Sequence, residues 1–405
     1  MTSQLNTTRG TALYVGAILG PGLLLLPGLA AAQAGPASIL AWVALLALSG
    51  LFATVFATLG RRLPSAGGVM GYVTAGVGRR AGLVTGWSFL AGVVLGAPVV
   101  CLIGASYVAT TTTARAIVAA GLLAAVLALA ARGLRASAAA QLLLVGLLVA
   151  VVLVAVGGSA HAAQLSHWTP FAPHGWMSVG HAAVTLMLSF AGWEAVAPLT
   201  TRFADPARQL PRVVAIALGI TTAIYLSLAV TTIAVLGPAA ATDVPLAELL
   251  TKVVGSAGPA VAGVAAVVLT LGATNAYING AIQMLGELRT GTGRPAAFLA
   301  AIGVTGAAGL ALYGLGLVNV AAMVEVPTAL FLAVYLGAMA AAVRLLRGKV
   351  RIAAIPAGLA VAAMLSLCGW AVALPVAVAL TVFAARRGPW SAPVRLPGLR
   401  PQHSA

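Results

Sequence analysis

Glu194 stands in Phe190-Ala191-Gly192-Trp193-Glu194-Ala195-Val196-Ala197-Pro198, one of the most apolar stretches of a 405-residue chain that has only 6 Asp and Glu. An acid in such surroundings needs a proton, a partner or a hydrated cavity, because an unpaired charge in an apolar medium is expensive. Glu325, shortly before Pro327, is the only other acid inside an apolar run, whereas Glu287 lies near Arg289 and Arg294 and is expected to pair with an arginine. Asn275 and Asn279 are four positions apart and share a helical face. That spacing suits a polar cavity wall or hydrogen bonds between helices.

Backbone chemistry is the second signal. Gly16-Ala17-Ile18-Leu19-Gly20-Pro21-Gly22 interrupts one apolar run and Ser189-Phe190-Ala191-Gly192 interrupts another. Proline removes a helical hydrogen bond and glycine accepts unwound geometry, so both segments leave backbone N–H and C=O groups free for other partners. The chain has no P-loop, no metal-spaced His/Cys cluster and no Ser-His-Asp arrangement, which argues against an enzyme and against a bound metal or other cofactor. His161, His167, His174 and His181 gather around one loop and read as solvated. Cys101 and Cys368 fall within apolar runs and read as packing residues rather than a disulfide.

The elements that must position these groups follow from composition. Hydrophobic residues make up 61% of the chain, charged residues 7%, and the mean hydropathy is +1.07. Such a chain is an all-α polytopic membrane protein, whose partner is the lipid bilayer. The net charge of +16 does not imply nucleic acid, since the basic residues form no patch and instead punctuate the apolar runs.

At about 20 residues per crossing the runs give about twelve spans, near 11–33, 37–59, 83–109, 114–131, 137–158, 178–199, 212–236, 257–284, 296–315, 318–343, 352–370 and 371–385. With a cytoplasmic N-terminus, only Arg115 and Lys252 of the 22 Lys and Arg fall on the outer side. This positive-inside bias places both termini in the cytoplasm. Arg9 and Ala30-Ala31-Ala32-Gln33-Ala34 imitate a secretory signal, but Gly20-Pro21-Gly22 would spoil its helix. The domain expectation is therefore one membrane-spanning unit over 1–386 and a cytoplasmic tail over 387–405.

In this register the two interruptions lie midway through spans one and six. They are corresponding positions if spans one to five and six to ten form an inverted repeat, the plan of many secondary transporters. Amides at a half-helix N-terminus suit a carboxylate, and freed carbonyls suit an ammonium group, so a zwitterionic amino acid fits both. The alternative is that small residues merely allow helices to pack closely.

Leu19-Gly20-Pro21-Gly22-Leu23-Leu24-Leu25-Leu26-Pro27 resembles the first-helix signature of the amino acid/polyamine/organocation transporters. Leu59 to Tyr72, continuing to Gly86-Trp87, resembles their second signature, and Phe190 to Glu194 leading through Asp205-Pro206 into span seven resembles a third. Within that family the chain is most similar to bacterial exporters of methionine and branched-chain amino acids. The resemblance implies ten core helices in a five-plus-five inverted repeat, about 11–158 and 178–343, with helices one and six broken and two added helices over 352–385.

By position, the resemblance assigns the amides of Gly22 and Leu23 to the substrate carboxylate, and the carbonyls of Ile18, Leu188 and Ala191 to its ammonium. Gly20, Pro21, Ser189 and Gly192 complete the two breaks as substrate-binding segments. Glu194 matches a glutamate implicated in gating and, in some members, in proton sensing. Two positions depart from the pattern: Pro21 stands where many relatives have Ser or Thr, and Leu188 where several have an aromatic gate.

Ala97, Cys101, Asn275, Asn279 and Thr328 are the nominated remainder of the cavity lining. These residues carry no charge, which favours Leu, Ile, Val or Met over cationic substrates. Glu325 is a candidate second proton site or outer-gate residue, or a carboxylate in a hydrated vestibule. A proton on Glu194 would bias one conformation over another, or the acid is structural and bonded to the freed amides. Sodium coupling stays open, with Thr270 and Thr274 as candidate ligands.

The expected function is proton-coupled export of neutral hydrophobic amino acids across a bacterial inner membrane by alternating access. The alternatives are an uptake permease of the same fold and a major-facilitator-type transporter, and a homodimer is possible.

Overall fold

The computed structural model describes residues 6–20, 22–63, 68–133, 138–196, 203, 205–288 and 295–384. Pro21, Pro64 to Gly67, Arg202, Arg289, Arg294 and the tail over 387–405 lie outside the described residues, as does the side chain of Glu287. The described chain is helical, and nine stretches in it are long and apolar enough to cross a membrane.

The first broken span consists of α1 (Thr7–Ile18) and α2 (Gly22–Ala34). There follow α3 (Ser38–Arg62), α4 (Gly68–Gly76), α5 (Arg79–Ser106), α6 (Thr112–Ala131) and α7 (Ala138–Ser159). The second broken span is α8 (Met177–Phe190) with α9 (Trp193–Val196). After it come α10 (Pro206–Leu236), α11 (Pro245–Val254), α12 (Gly258–Leu288), α13 (Pro295–Gly314), α14 (Val320–Leu345), α15 (Lys349–Leu367) and α16 (Ala373–Ala384).

Helix starts are set by local chemistry. Asn6 caps α1 through the Arg9 amide at 2.9 Å, Asn319 caps α14 through Ala322 at 2.8 Å, and Asp205 followed by Pro206 opens α10. These side-chain oxygens satisfy amides that a helix N-terminus leaves unpaired. Pro27, Pro98, Pro327 and Pro356 sit inside helices, as packed membrane helices permit.

Two helices depart from the sequence expectation, which left their residues as connections. In α4, Gly68 to Val73 are all buried, and the helix packs on α5 and α14. In α11, Leu246, Leu249 and Leu250 turn inward while Glu248 and Lys252 face out, a period-3.6 pattern too short to register among the spans. The final expected span also differs: α16 has 12 residues after a 3₁₀ turn at Gly369–Val372.

The core places α2 along α8, and α1 against α9 and α10. Across from them, α5 is sandwiched by α12 and α14. A loop straps the first broken span near Gly28. Gly28 of α2 is pressed so closely by the Thr242 carbonyl that any side chain would collide with it. Nearby, Arg115 at the start of α6 pairs with Asp243 and also donates to the Ala109 carbonyl at 3.0 Å.

Candidate functional site

Both interruptions are present, and their origin is local. In the first, the Leu19 amide still closes on Val15 at 2.7 Å, after which Gly20 turns back to the Ile18 carbonyl at 2.8 Å and helix resumes at Gly22. In the second, the Ala191 amide closes on Met187 at 3.2 Å, but the Gly192 amide donates to Glu194 Oε2 at 2.8 Å instead of continuing the ladder. Glu194 thus performs for α9 what an N-terminal acid does for a helix start.

The two breaks touch. A methyl carbon placed on Gly22 would fall 2.5 Å from Ser189 Oγ, so glycine is required for this close approach. Tyr225 of α10 then ties them together: its hydroxyl lies 2.8 Å from the Ile18 carbonyl and 2.8 Å from the Ser189 carbonyl. Its ring clusters with those of Trp42 and Phe190, each centroid 5.2 Å away and tilted. Two further tyrosines meet carbonyls of the second break. Tyr335 reaches Phe190 O at 3.1 Å, and Tyr277 donates to Ala191 O at 2.9 Å.

Glu194 is 4% exposed. Tyr335 donates to its Oε2 at 2.6 Å, while Oε1 has no hydrogen-bond partner among the described residues. Next to it, Trp193 Nε1 donates to Ser49 Oγ of α3 at 2.8 Å, fixing α9 in rotation.

Beside the breaks lies a cavity with about 590 Å³ of empty volume, part of it open to solvent. Gly20 and Gly22 line it from the first break, Leu188 and Ala191 from the second, and Gly92, Gly96 and Ala97 from α5. Val93, Val100, Ile103 and Phe331 make the rest apolar, and Thr274 and Tyr277 supply hydroxyls.

The structure therefore brings Gly20, Gly22, Leu188, Ala191 and Ala97 together as expected from sequence. Several other nominated positions are elsewhere. Cys101 and Thr328 are fully buried away from the cavity, and Thr328 bonds the Val324 carbonyl at 2.7 Å. Asn275 and Asn279 are not in its described lining, and Asn279 bonds Asn275 along α12, at 2.8 Å to its carbonyl and 3.0 Å to its side chain.

The Ile18 carbonyl is already engaged by Tyr225 and by the Gly20 amide, and the Leu23 amide donates to Gly20 O at 3.2 Å. Ser189, Gly192 and Glu194 stand behind the cavity rather than on its surface. Glu325 is half-buried on α14 within electrostatic reach of His181, away from Glu194. Thr270 packs against Gly104 of α5, and Thr274 lines the cavity. His161 and His167 bond separate backbone carbonyls, of Gly158 and Ala234, each at 2.8 Å.

Sequence reasoning missed Tyr225, Tyr277 and Tyr335. Each tyrosine lies in an apolar helix, where a ring reads as packing, and only the position of its hydroxyl against a distant carbonyl reveals the role.

A family sequence model described as amino acid permease matches residues 5–383. The chain belongs to the amino acid permease family. It is a multi-pass membrane protein and an amino acid transporter of that family, not an enzyme. It is 32% identical to the uncharacterized amino acid permease YecA of Bacillus subtilis, over 92% of this chain and 92% of that protein. It is similarly 29% identical to the L-methionine/branched-chain amino acid exporter YjeH of Escherichia coli, over 91% of this permease and 93% of the relative. The branched-chain amino acid permease BcaP of Bacillus subtilis is 28% identical over 54% of this chain and 51% of its own.

Proposed function

We propose that this permease exports neutral hydrophobic amino acids, Leu, Ile, Val or Met, by proton-coupled alternating access. The observation that carries the substrate class is the cavity: backbone groups of both breaks on one side, and Gly92, Val93, Gly96, Ala97, Val100, Ile103 and Phe331 opposite, with no charged side chain among the described residues of its lining. The first half recognises what all amino acids share, and the second provides room and apolar surface for an aliphatic side chain. The carboxylate sits at the N-terminus of α2, where aligned amides favour an anion. The ammonium sits at the second break.

Element order supports the inverted repeat. The first half runs broken helix, α3, short α4, α5, α6, α7; the second runs broken helix, α8 with α9, then α10, short α11, α12, α13, α14. In this reading α15 and α16 are the added pair, the chain crosses twelve times, and both termini are cytoplasmic in a bacterial inner membrane. Proton coupling rests on Glu194, buried with one oxygen unpartnered among the described residues and bonded to the second break through Gly192. The direction follows the exporter at 29% identity, whose name gives methionine and branched-chain amino acids as its substrates.

The test is counterflow of labelled leucine, methionine, arginine and putrescine in proteoliposomes, with and without a pH gradient. Leucine and methionine are expected to exchange. Good exchange of arginine or putrescine without leucine overturns the substrate class, and outward leucine flux that ignores an imposed pH gradient overturns proton coupling.

A further inference from the structure

At the end of the bundle where most of the basic residues collect, two arginines from neighbouring helices stand at one depth. There α14 carries the corner between α4 and α5 on one face: a methyl carbon on Gly337 would lie 2.8 Å from Thr85 Oγ1, and one on Gly76 would lie 2.8 Å from the Ala341 Cα. The two contacts run in opposite chain directions, so α5 and α14 are antiparallel. Arg344 continues the same face of α14, seven positions after Gly337 and three after Ala341. Arg80 stands five positions before Thr85 on α5. At 1.5 Å of rise per residue, Arg344 and Arg80 lie about 10 and about 7 Å beyond the Gly337–Thr85 contact.

The third helix at this end is α16, which packs on both α5 and α14. The Arg80 guanidinium lies over the Phe383 ring, 5.7 Å from its centroid. Val376, Leu380 and Phe383 fall at i, i+4 and i+7 along α16 and are all exposed, so an apolar stripe begins beneath the cation and runs away from it. Arg80 and Arg344 are exposed as well, and among the described residues neither is paired with a carboxylate. We propose that Arg80 and Arg344 form the seat for the headgroup of an anionic phospholipid, whose phosphate bridges the two guanidinium groups and whose acyl chain lies along Val376, Leu380 and Phe383.

Charge and shape both favour this occupant. A guanidinium offers paired N–H donors that match phosphate oxygens, and it stays charged at any working pH. Basic groups between helices at the membrane surface bind acidic headgroups. The positive-inside bias accounts for the end at which arginines collect, but not for two of them at one depth beside an uncovered apolar stripe. A soluble phosphate uses the cations and leaves the stripe wet, whereas a phospholipid uses both. The consequence for the permease is mechanical: α5 and α14 carry Gly92, Gly96, Ala97 and Phe331 of the cavity, and a bridging headgroup ties the ends of these two walls together.

The experiment melts the full-length permease, purified in a neutral detergent, against increasing dioleoylphosphatidylglycerol, dioleoylphosphatidylcholine or glycerol 1-phosphate. Phosphatidylglycerol is expected to raise the Tm, and the other two to leave it unchanged. The lipid concentration that gives half of the rise should increase about fivefold in Arg80→Gln and in Arg344→Gln, the factor that one basic residue contributes near an acidic headgroup. Arg212→Gln removes the same charge from an exposed position of α10, which packs on α1, α3 and α7 instead, and should change that concentration less than about twofold. Leu380→Gln should weaken the phosphatidylglycerol response through the stripe, with both arginines in place.

No rise with phosphatidylglycerol in wild type overturns the site. So does an equal weakening by Arg212→Gln, which marks overall surface charge, and so does a rise with phosphatidylcholine of the same size. An equal rise with glycerol 1-phosphate shows a phosphate-ester site without a lipid and overturns the occupant, as does an unchanged response in Leu380→Gln. If Arg80→Gln does not accumulate, Arg344→Gln decides by the same criteria.

Discussion

Tyr335 and Glu194 lie 141 positions apart in the chain and meet at 2.6 Å, hydroxyl to carboxylate. The contact fastens α14 to the second break, and Phe52 and Phe56 of α3 hold the Tyr335 ring at centroid distances of 4.6 and 5.6 Å. The acid is thereby placed where protonation changes a bond between two helices. Glu194→Gln removes the titrating group while keeping one acceptor for Gly192 or Tyr335. Its transport rate is expected to become insensitive to pH across the range where wild type varies. Initial rates measured against pH decide it, and an unaltered profile removes Glu194 from coupling.

Gly22→Ala introduces a methyl 2.5 Å from Ser189 Oγ, at the point where the breaks meet. Overpacking of this kind costs about 1 to 3 kcal/mol. Because the strain falls on the segment that lines the cavity, leucine exchange should drop by about tenfold or more while purified protein remains monodisperse. Wild-type exchange kinetics in the variant would mean that the close approach is not needed for transport.

Gly96 lines the cavity on α5, where a methyl carbon would come no nearer than 3.4 Å to Pro327. Gly96→Leu therefore fits on the helix and projects into the space assigned to the substrate side chain. The expected outcome is selective: KM for leucine rises by about tenfold, and KM for alanine rises less. Parallel loss for both amino acids would place the side-chain subsite elsewhere.

Arg115 and Asp243 join the start of α6 to the segment that covers Gly28, with 17% and 33% of their side chains exposed. A pair this accessible is worth about 1 kcal/mol, screened by salt. Asp243→Ala should lower the Tm by a few degrees at low ionic strength and by less at high salt, and exchange of the two residues for each other should recover the difference. If Asp243→Ala melts with wild type at low salt, the pair does not stabilise the cover over Gly28.

Legibility differed by kind of feature. The interruptions at Gly20 and Gly192 were readable because glycine and proline act on their own backbone, wherever the segment is placed. Ala97 was nominated from its span, and Leu188 and Ala191 from the resemblance of their segment. Cys101, Asn275, Asn279 and Thr328 do not border the described cavity, since span boundaries fix depth and not rotation, and a rotation of part of a turn exchanges cavity for interior. Helix α11 was overlooked because its 10 residues are amphipathic rather than uniformly apolar. Tyr225, Tyr277 and Tyr335 gave no signal, since hydropathy counts their rings and is silent about where their hydroxyls end.

By itself the sequence determined a polytopic helical membrane protein with paired helix breaks, because lipid enforces long apolar runs and glycine and proline write interruptions locally. It also determined that Glu194 would stand just after the second break, since that is a matter of adjacency. Only the tertiary structure decided which oxygens face which donors. The Tyr335 hydroxyl on Glu194, the Tyr225 hydroxyl across both breaks and the Tyr277 hydroxyl on Ala191 depend on packing between helices far apart in the chain. Hydrogen bonds are directional over tenths of an ångström, whereas apolar periodicity constrains a helix only to a face.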